Sequence, residues 1–110
     1  MKIYCVYFSA TYTTKKIVEE IASSFSADYQ LVDITNVESP QDFTLAPTDL
    51  LIAGVPVYAG RVPALATERL RAFTGQHTPA IAVAVYGNRE YEDALLELAD
   101  TLAEQDFQQA

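Results

Sequence analysis

Short apolar runs alternate with stripes of helical spacing along the chain. Ile3 to Phe8 is a continuous β-branched and aromatic run, the pattern of a strand buried on both faces. Past a Ser/Thr cluster, Ile17, Val18, Ile21, Ala22 and Phe25 fall on one stripe of a helix. Tyr29 to Ile34 predicts a second, shorter strand. Thr35 to Thr48 has no clear period, and Ser39-Pro40-Gln41-Asp42 predicts a single capped turn within an irregular crossover. Leu50 to Val57 reads as a third strand. Pro63 then opens a helix whose stripe runs through Leu65, Ala66, Leu70 and Phe73, with Gly75 as its stop. Ala80 to Tyr86 predicts a fourth strand, and Tyr91, Ala94, Leu95, Leu98, Ala99 and Leu102 repeat at helical spacing.

Strands that alternate with helices and are apolar throughout imply a parallel sheet covered on both faces. Such sheets bind ligands beyond the carboxyl ends of their strands, near the point where the strand order reverses. The turns after the first, third and fourth strands are therefore the places to look for chemistry.

The 110 residues fit one domain. A formal charge of −8, from fifteen acidic and seven basic residues, argues against sequence-independent nucleic-acid binding. That balance serves solubility or docking onto a basic partner, and charge alone does not choose. No apolar stretch spans a membrane, and the N-terminal run is too short for a secretory signal, so the cytoplasm is the expected address. The single cysteine excludes an internal disulfide and a multi-cysteine iron–sulfur or zinc site, and no metal is expected. Cys5 stands mid-strand, where a buried and inert thiol is expected. His77, in a polar Gly-Gln-His-Thr-Pro turn, is expected to be solvated.

The first strand runs directly into Ser9-Ala10-Thr11-Tyr12-Thr13-Thr14-Lys15-Lys16. Four serine and threonine residues in six positions at the mouth of a helix offer donors to a phosphate monoester, beside the free N–H groups of the first turn. Glycine is absent, so this is neither a Walker loop nor a dinucleotide fingerprint. Ordinary capping by Thr13 or Thr14 accounts for the same residues equally well. Lys15 and Lys16 are poorly placed at a helix start unless an anion lies near.

After the third strand comes Gly54-Val55-Pro56-Val57-Tyr58-Ala59-Gly60-Arg61-Val62-Pro63. Tyr58 there suits stacking on a planar ligand, or simply covers the sheet end. After the fourth strand, Tyr86-Gly87-Asn88-Arg89-Glu90-Tyr91 supplies another aromatic residue with polar groups for the edge of a heterocycle. Tyr91 lies on the helix stripe, where it packs the core or lines a pocket wall. Arg61 and Arg89 serve as surface charges, or steady an anionic ring or a dinucleotide.

Taken together, Phe8 to Lys16, Gly54 to Pro63 and Tyr86 to Tyr91 resemble the flavodoxin-like FMN proteins, in a subgroup often fused to a cysteine-rich ferredoxin-like segment. The resemblance covers nearly the whole chain. It implies a doubly wound parallel sheet of order 2-1-3-4, helices on both faces, and FMN at the carboxyl ends of the strands. It assigns Ser9, Ala10, Thr11, Tyr12, Thr13 and Thr14 to the FMN phosphate. Pro56, Val57, Tyr58, Ala59, Gly60 and Arg61 would take one side of the isoalloxazine, and Tyr86, Gly87, Asn88 and Arg89 the other side and the pyrimidine edge.

Two departures stand out. Tyr12 occupies a position where flavodoxins usually have glycine, and a tyrosine resists positive φ, so a reshaped loop is expected. The family's fifth strand and last helix are also missing from the prediction for residues 1–110, which leaves an exposed fourth-strand edge suited to a homodimer. The implied function is an electron-transfer flavoprotein serving a redox partner, with no acid–base residue of its own. The alternatives are an FMN-dependent NAD(P)H oxidoreductase of quinone-reductase type and a flavin-free interaction domain.

Overall fold

The computed structural model describes residues 2–8, 12–26, 28–35, 42–57, 62–85 and 92–109, with the backbone alone for Tyr12 and 92–94. Its elements are β1 (Ile3–Tyr7), α1 (Tyr12–Phe25), β2 (Gln30–Asp33), β3 (Phe43–Thr44) and β4 (Leu50–Pro56). They continue as α2 (Ala64–Leu70), β5 (Phe73–Thr74), β6 (Thr78–Val85), α3 (Glu92–Glu104) and β7 (Phe107–Gln109). The main sheet has five strands in the order β2-β1-β4-β6-β7, and every pairing in it is parallel. The four long strands thus stand in the expected order 2-1-3-4.

The fifth strand, expected to be missing, is present. Phe107–Gln109 pairs with the first residues of β6, Thr78 opposite Phe107 and Ala80 opposite Gln109. The sequence hides it because it is three residues long and carries one apolar side chain, Phe107, which is 4 % exposed. The expected open edge is accordingly shorter: among the described residues it comprises Ile81–Val85, all half-buried.

β4 shows why the sheet needs cover on both sides, since all of its residues are buried. Leu51, Ala53 and Val55 face a core built with Ala66 and Leu70 of α2 and Leu98 and Leu102 of α3. Leu50 and Ile52 face the other side, with Ile3, Cys5 and Tyr7 of β1 and Val18 and Ala22 of α1. The period-2 alternation of a strand delivers successive side chains to these two cores. Phe25, Leu65 and Leu95, expected on buried stripes, are instead exposed (55 %, 44 % and 37 %).

The second helix also ends earlier than its stripe suggests. α2 stops at Leu70 with Arg71 as its C-cap, and Phe73 belongs to a two-residue strand rather than the helix. There β5 pairs in parallel with β3, Phe43 opposite Phe73. The two rings stack with centroids 4.8 Å apart and 4° between planes. Gly75 therefore stops no helix. Its missing Cβ would lie 2.5 Å from the Asp106 carbonyl oxygen and 2.9 Å from the Phe107 ring, and its N–H donates to the Gln105 carbonyl at 2.8 Å. It is the residue that lets β7 dock. The capped turn predicted at Ser39-Pro40-Gln41-Asp42 lies, apart from Asp42, outside the described residues.

Candidate functional site at the carboxyl edge of the sheet

The chain runs from β1 to β2 on one side of the sheet and on to β4 on the other, so the strand order reverses between β1 and β4. At the carboxyl end of that boundary Tyr7 stands opposite Gly54, and the Phe8 N–H donates to the Gly54 carbonyl at 3.0 Å. Helix α1 starts five residues after Tyr7 and lies directly over this crevice. A Cβ on Gly54 would sit 2.4 Å from Val18 Cγ1 and 3.0 Å from Thr14 Cγ2. A glycine within a strand commonly marks such a close approach.

This contact places the first turn of a 14-residue helix beside the end of β1. Its opening N–H groups have no intrahelical acceptors, and the turn carries no acidic side chain. Thr13 is exposed, whereas Thr14 is 1 % exposed with its methyl toward Gly54. Tyr12 is the first residue of α1, so no left-handed backbone is asked of it there. Lys16 is exposed, and Lys15 Nζ lies 3.8 Å from Glu19 Oε1 one turn on.

The second and third turns are tied to each other at their bases. Pro56 is buried and Val57 half-buried, and the Val57 N–H donates to the Val85 carbonyl at 2.9 Å. Beyond the turn, Val62 is 5 % exposed, and its N–H donates to Glu97 Oε1 of α3 at 3.1 Å. Ser9, Ala10, Thr11, Tyr58, Ala59, Gly60, Arg61, Tyr86, Gly87, Asn88 and Arg89, together with Tyr91, lie outside the described residues. Among the residues that flank them, the structure ties Val57 to Val85 and seats Phe8 on Gly54.

Three residues at this edge were not singled out from the sequence. Gly54 sets how closely α1 approaches. Glu97 holds Val62. Arg69 of α2 donates from Nη1 to the Ile34 carbonyl at 2.7 Å and to that of Thr35, with its guanidinium 5.9 Å from the centre of the Phe8 ring. Only Gly54 had a readable signal, as the lone glycine of an otherwise apolar strand. The partners of Glu97 and Arg69 are 35 residues away, beyond the reach of local patterns.

Cys5 is fully buried, with its thiol directed at the Val18 carbonyl at 3.9 Å. Burial, and secondarily the Glu19 carboxylate, pushes its pKa from 9.0 up to about 11. Between these values the unfolded chain releases a proton that the folded chain retains, so stability falls as pH rises from 9 to 11. The expected slope is about 1.4 kcal/mol per pH unit from this group, and replacing Cys5 with alanine should remove it. Urea titrations at three alkaline pH values provide the check; equal slopes for parent and variant would contradict the assignment. His77 is exposed, with Nδ1 3.4 Å from Asp106 Oδ1. Among the described residues, no helix is long and apolar enough to cross a membrane.

Comparison with known proteins agrees with this architecture. The sequence pattern of the flavodoxin domain matches residues 4–101. A protein from Bacteroides eggerthii described as a flavoprotein superposes with a TM-score of 0.67 at 15% identity, over 98% of this chain and 85% of its own. An archaeal flavodoxin superposes with a TM-score of 0.62 at 17% identity, over 100% of this chain and 78% of its own. No match was found among curated protein sequences. With its parallel five-stranded sheet, its reversal between β1 and β4, and a pattern match over residues 4–101, the chain belongs to the flavodoxin domain family, for which the implied cofactor is a flavin.

Proposed function

We propose that the flavin is FMN and that the protein carries electrons through it. The observation that carries this reading is the seating of the α1 N-terminus over the β1–β4 crevice, where Gly54 admits Thr14 and Val18. A helix start with no acidic residue in its first turn suits a phosphate monoester, and the donors available there fit the group. Ser9, Ala10, Thr11, Tyr12, Thr13 and Thr14 would hold the phosphate, mainly through main-chain N–H groups, with the hydroxyls of Ser9, Thr11 and Thr13 in support. Thr14 contributes from its backbone, because its methyl packs on β4.

Pro56, Val57, Tyr58, Ala59, Gly60 and Arg61 would flank one side of the ring, and Tyr86, Gly87, Asn88 and Arg89 the other. Bound FMN supplies the redox chemistry, and the protein contributes placement, stacking and exclusion of water. The partner that fits a net charge of −8 is a basic redox protein, and the compartment we assign is the cytoplasm.

Titration with FMN and with riboflavin, followed by flavin fluorescence, tests the phosphate assignment. FMN should saturate one site and bind at least about tenfold more tightly than riboflavin, the effect of losing a charge-assisted contact. Equal affinity, or no binding by folded protein, would defeat the reading. The FMN-loaded protein should not oxidise NAD(P)H at steady state; turnover would make it an enzyme instead.

A further inference from the structure

The connection from β4 to α2 is fastened at both ends by the strand and helix that flank a different connection. At its start, the Val57 N–H donates to the Val85 carbonyl, the last residue of β6. At its finish, the Val62 N–H donates to the Glu97 carboxylate on α3. Residues 86–91 join β6 to α3: Val85 adjoins that segment directly, and Glu97 stands in the second turn of the helix that follows it. The first bond is one more rung of the β4–β6 ladder, and any residue but proline at position 57 would supply it. The second depends on one carboxylate.

Glu97 is well supported for such a task. Its neighbour Leu98 is 1 % exposed in the main core, and the Thr101 hydroxyl donates to the Glu97 carbonyl at 3.0 Å. Val62 belongs to the same core. A second tie joins the far ends of the two helices, where Arg71 Nη2 lies 3.5 Å from Glu104 Oε2. That pair is exposed on both sides and contributes little. The Glu97 bond accepts a main-chain N–H on a buried residue, where a charge-assisted bond is strong and its loss leaves a donor unsatisfied.

We propose that Glu97 is a positioning residue for the flavin site, holding the end of the β4–α2 connection against α3 by accepting the Val62 N–H. The proposal rests on the FMN reading above. Its action runs through the main chain of Val62 and through no contact between Glu97 and the flavin. The carboxylate is needed as an acceptor at a fixed place, so glutamine, with a carbonyl oxygen at the same reach, should replace it and alanine should not.

The test compares the parent with Glu97→Gln and Glu97→Ala in two measurements. Amide hydrogen exchange reports the bond itself. The Val62 amide should be protected in the parent and in Glu97→Gln, and exchange faster by about tenfold or more in Glu97→Ala, with the amides of β4 unchanged. FMN titration reports the consequence: Glu97→Ala should weaken binding by about tenfold and alter the visible bands of the bound flavin, while Glu97→Gln restores both.

Val62 exchange that is alike in all three proteins would overturn the proposal. So would faster exchange in Glu97→Ala with unchanged FMN affinity and spectrum. Loss in Glu97→Gln equal to that in Glu97→Ala would also overturn it, since charge rather than acceptor geometry would be responsible. If the parent itself takes up no FMN, the functional reading fails and the flavin role of Glu97 with it, while the exchange result still decides whether the Val62 bond exists.

Discussion

Alanine at Gly54 should cost about 1–3 kcal/mol, the range for forcing atoms into a packed core, although only a methyl group is added. That methyl would stand 2.4 Å from Val18 Cγ1, well inside van der Waals contact, with Thr14 Cγ2 at 3.0 Å. The neighbours are a β-branched side chain held by a helix and a strand fully buried along its length, so neither yields cheaply. The least costly adjustment moves α1 away from β4 and takes the helix start off the crevice. Stability and FMN affinity should therefore fall together. Urea denaturation measures the first and fluorescence titration the second. The double variant Gly54→Ala/Val18→Ala removes the offending Cγ1, and should be more stable than the sum of the two single effects predicts. A single variant within about 0.5 kcal/mol of the parent would show that the approach of α1 is not constrained here.

The second large effect belongs to Phe73. Truncation to alanine is expected to cost about 3–5 kcal/mol, a large share of the 5–15 kcal/mol typical of a whole domain. Phe73 is 1 % exposed and stacks on Phe43, which in turn meets Tyr4 edge-on with centroids 6.4 Å apart. Removing the ring thus leaves a cavity in the main core and deprives the β3–β5 pair of its chief side-chain contact. Phe25→Ala is the matching control. That residue is 55 % exposed at the last position of α1, and its loss should change stability by no more than about 0.5 kcal/mol. Similar denaturation midpoints for the two variants would contradict the packing described.

The contrast between these two phenylalanines shows where sequence patterns carry information. Spacing alone places both on helical stripes. Spacing reports which side chains share a face but not how far the sheet beneath that face extends, and Phe25 ends a helix whose middle residues, Val18 and Ala22, do the covering. Phe73 is buried for a reason no local window contains, a pairing with Phe43 thirty residues earlier. The strands β1, β4 and β6 were legible because continuous apolar runs have few other homes. β7 was not, since three residues pinned by Gly75 leave almost no compositional trace.

The candidate site divides in the same way. Its location followed from topology, and the hydroxyl, tyrosine and glycine clusters from motif chemistry. The supports at Glu97 and Arg69 act across 35 residues and became visible only through folding.

The all-parallel ladder has a consequence for how the chain reaches its native state. Ile3 is paired with Leu50, and β4 in turn with a strand whose matching residues begin at Ala80. No two neighbouring strands of the main sheet are joined by a tight hairpin, so each pairing requires closure of a long loop before it yields any gain, a topology that folds slowly. During synthesis the central strand emerges with one side already matched and waits for roughly the next thirty residues to complete the other. Until then Leu50 to Val55 is an apolar strand with one hydrogen-bonding edge unpaired, the kind of transiently exposed surface that promotes association.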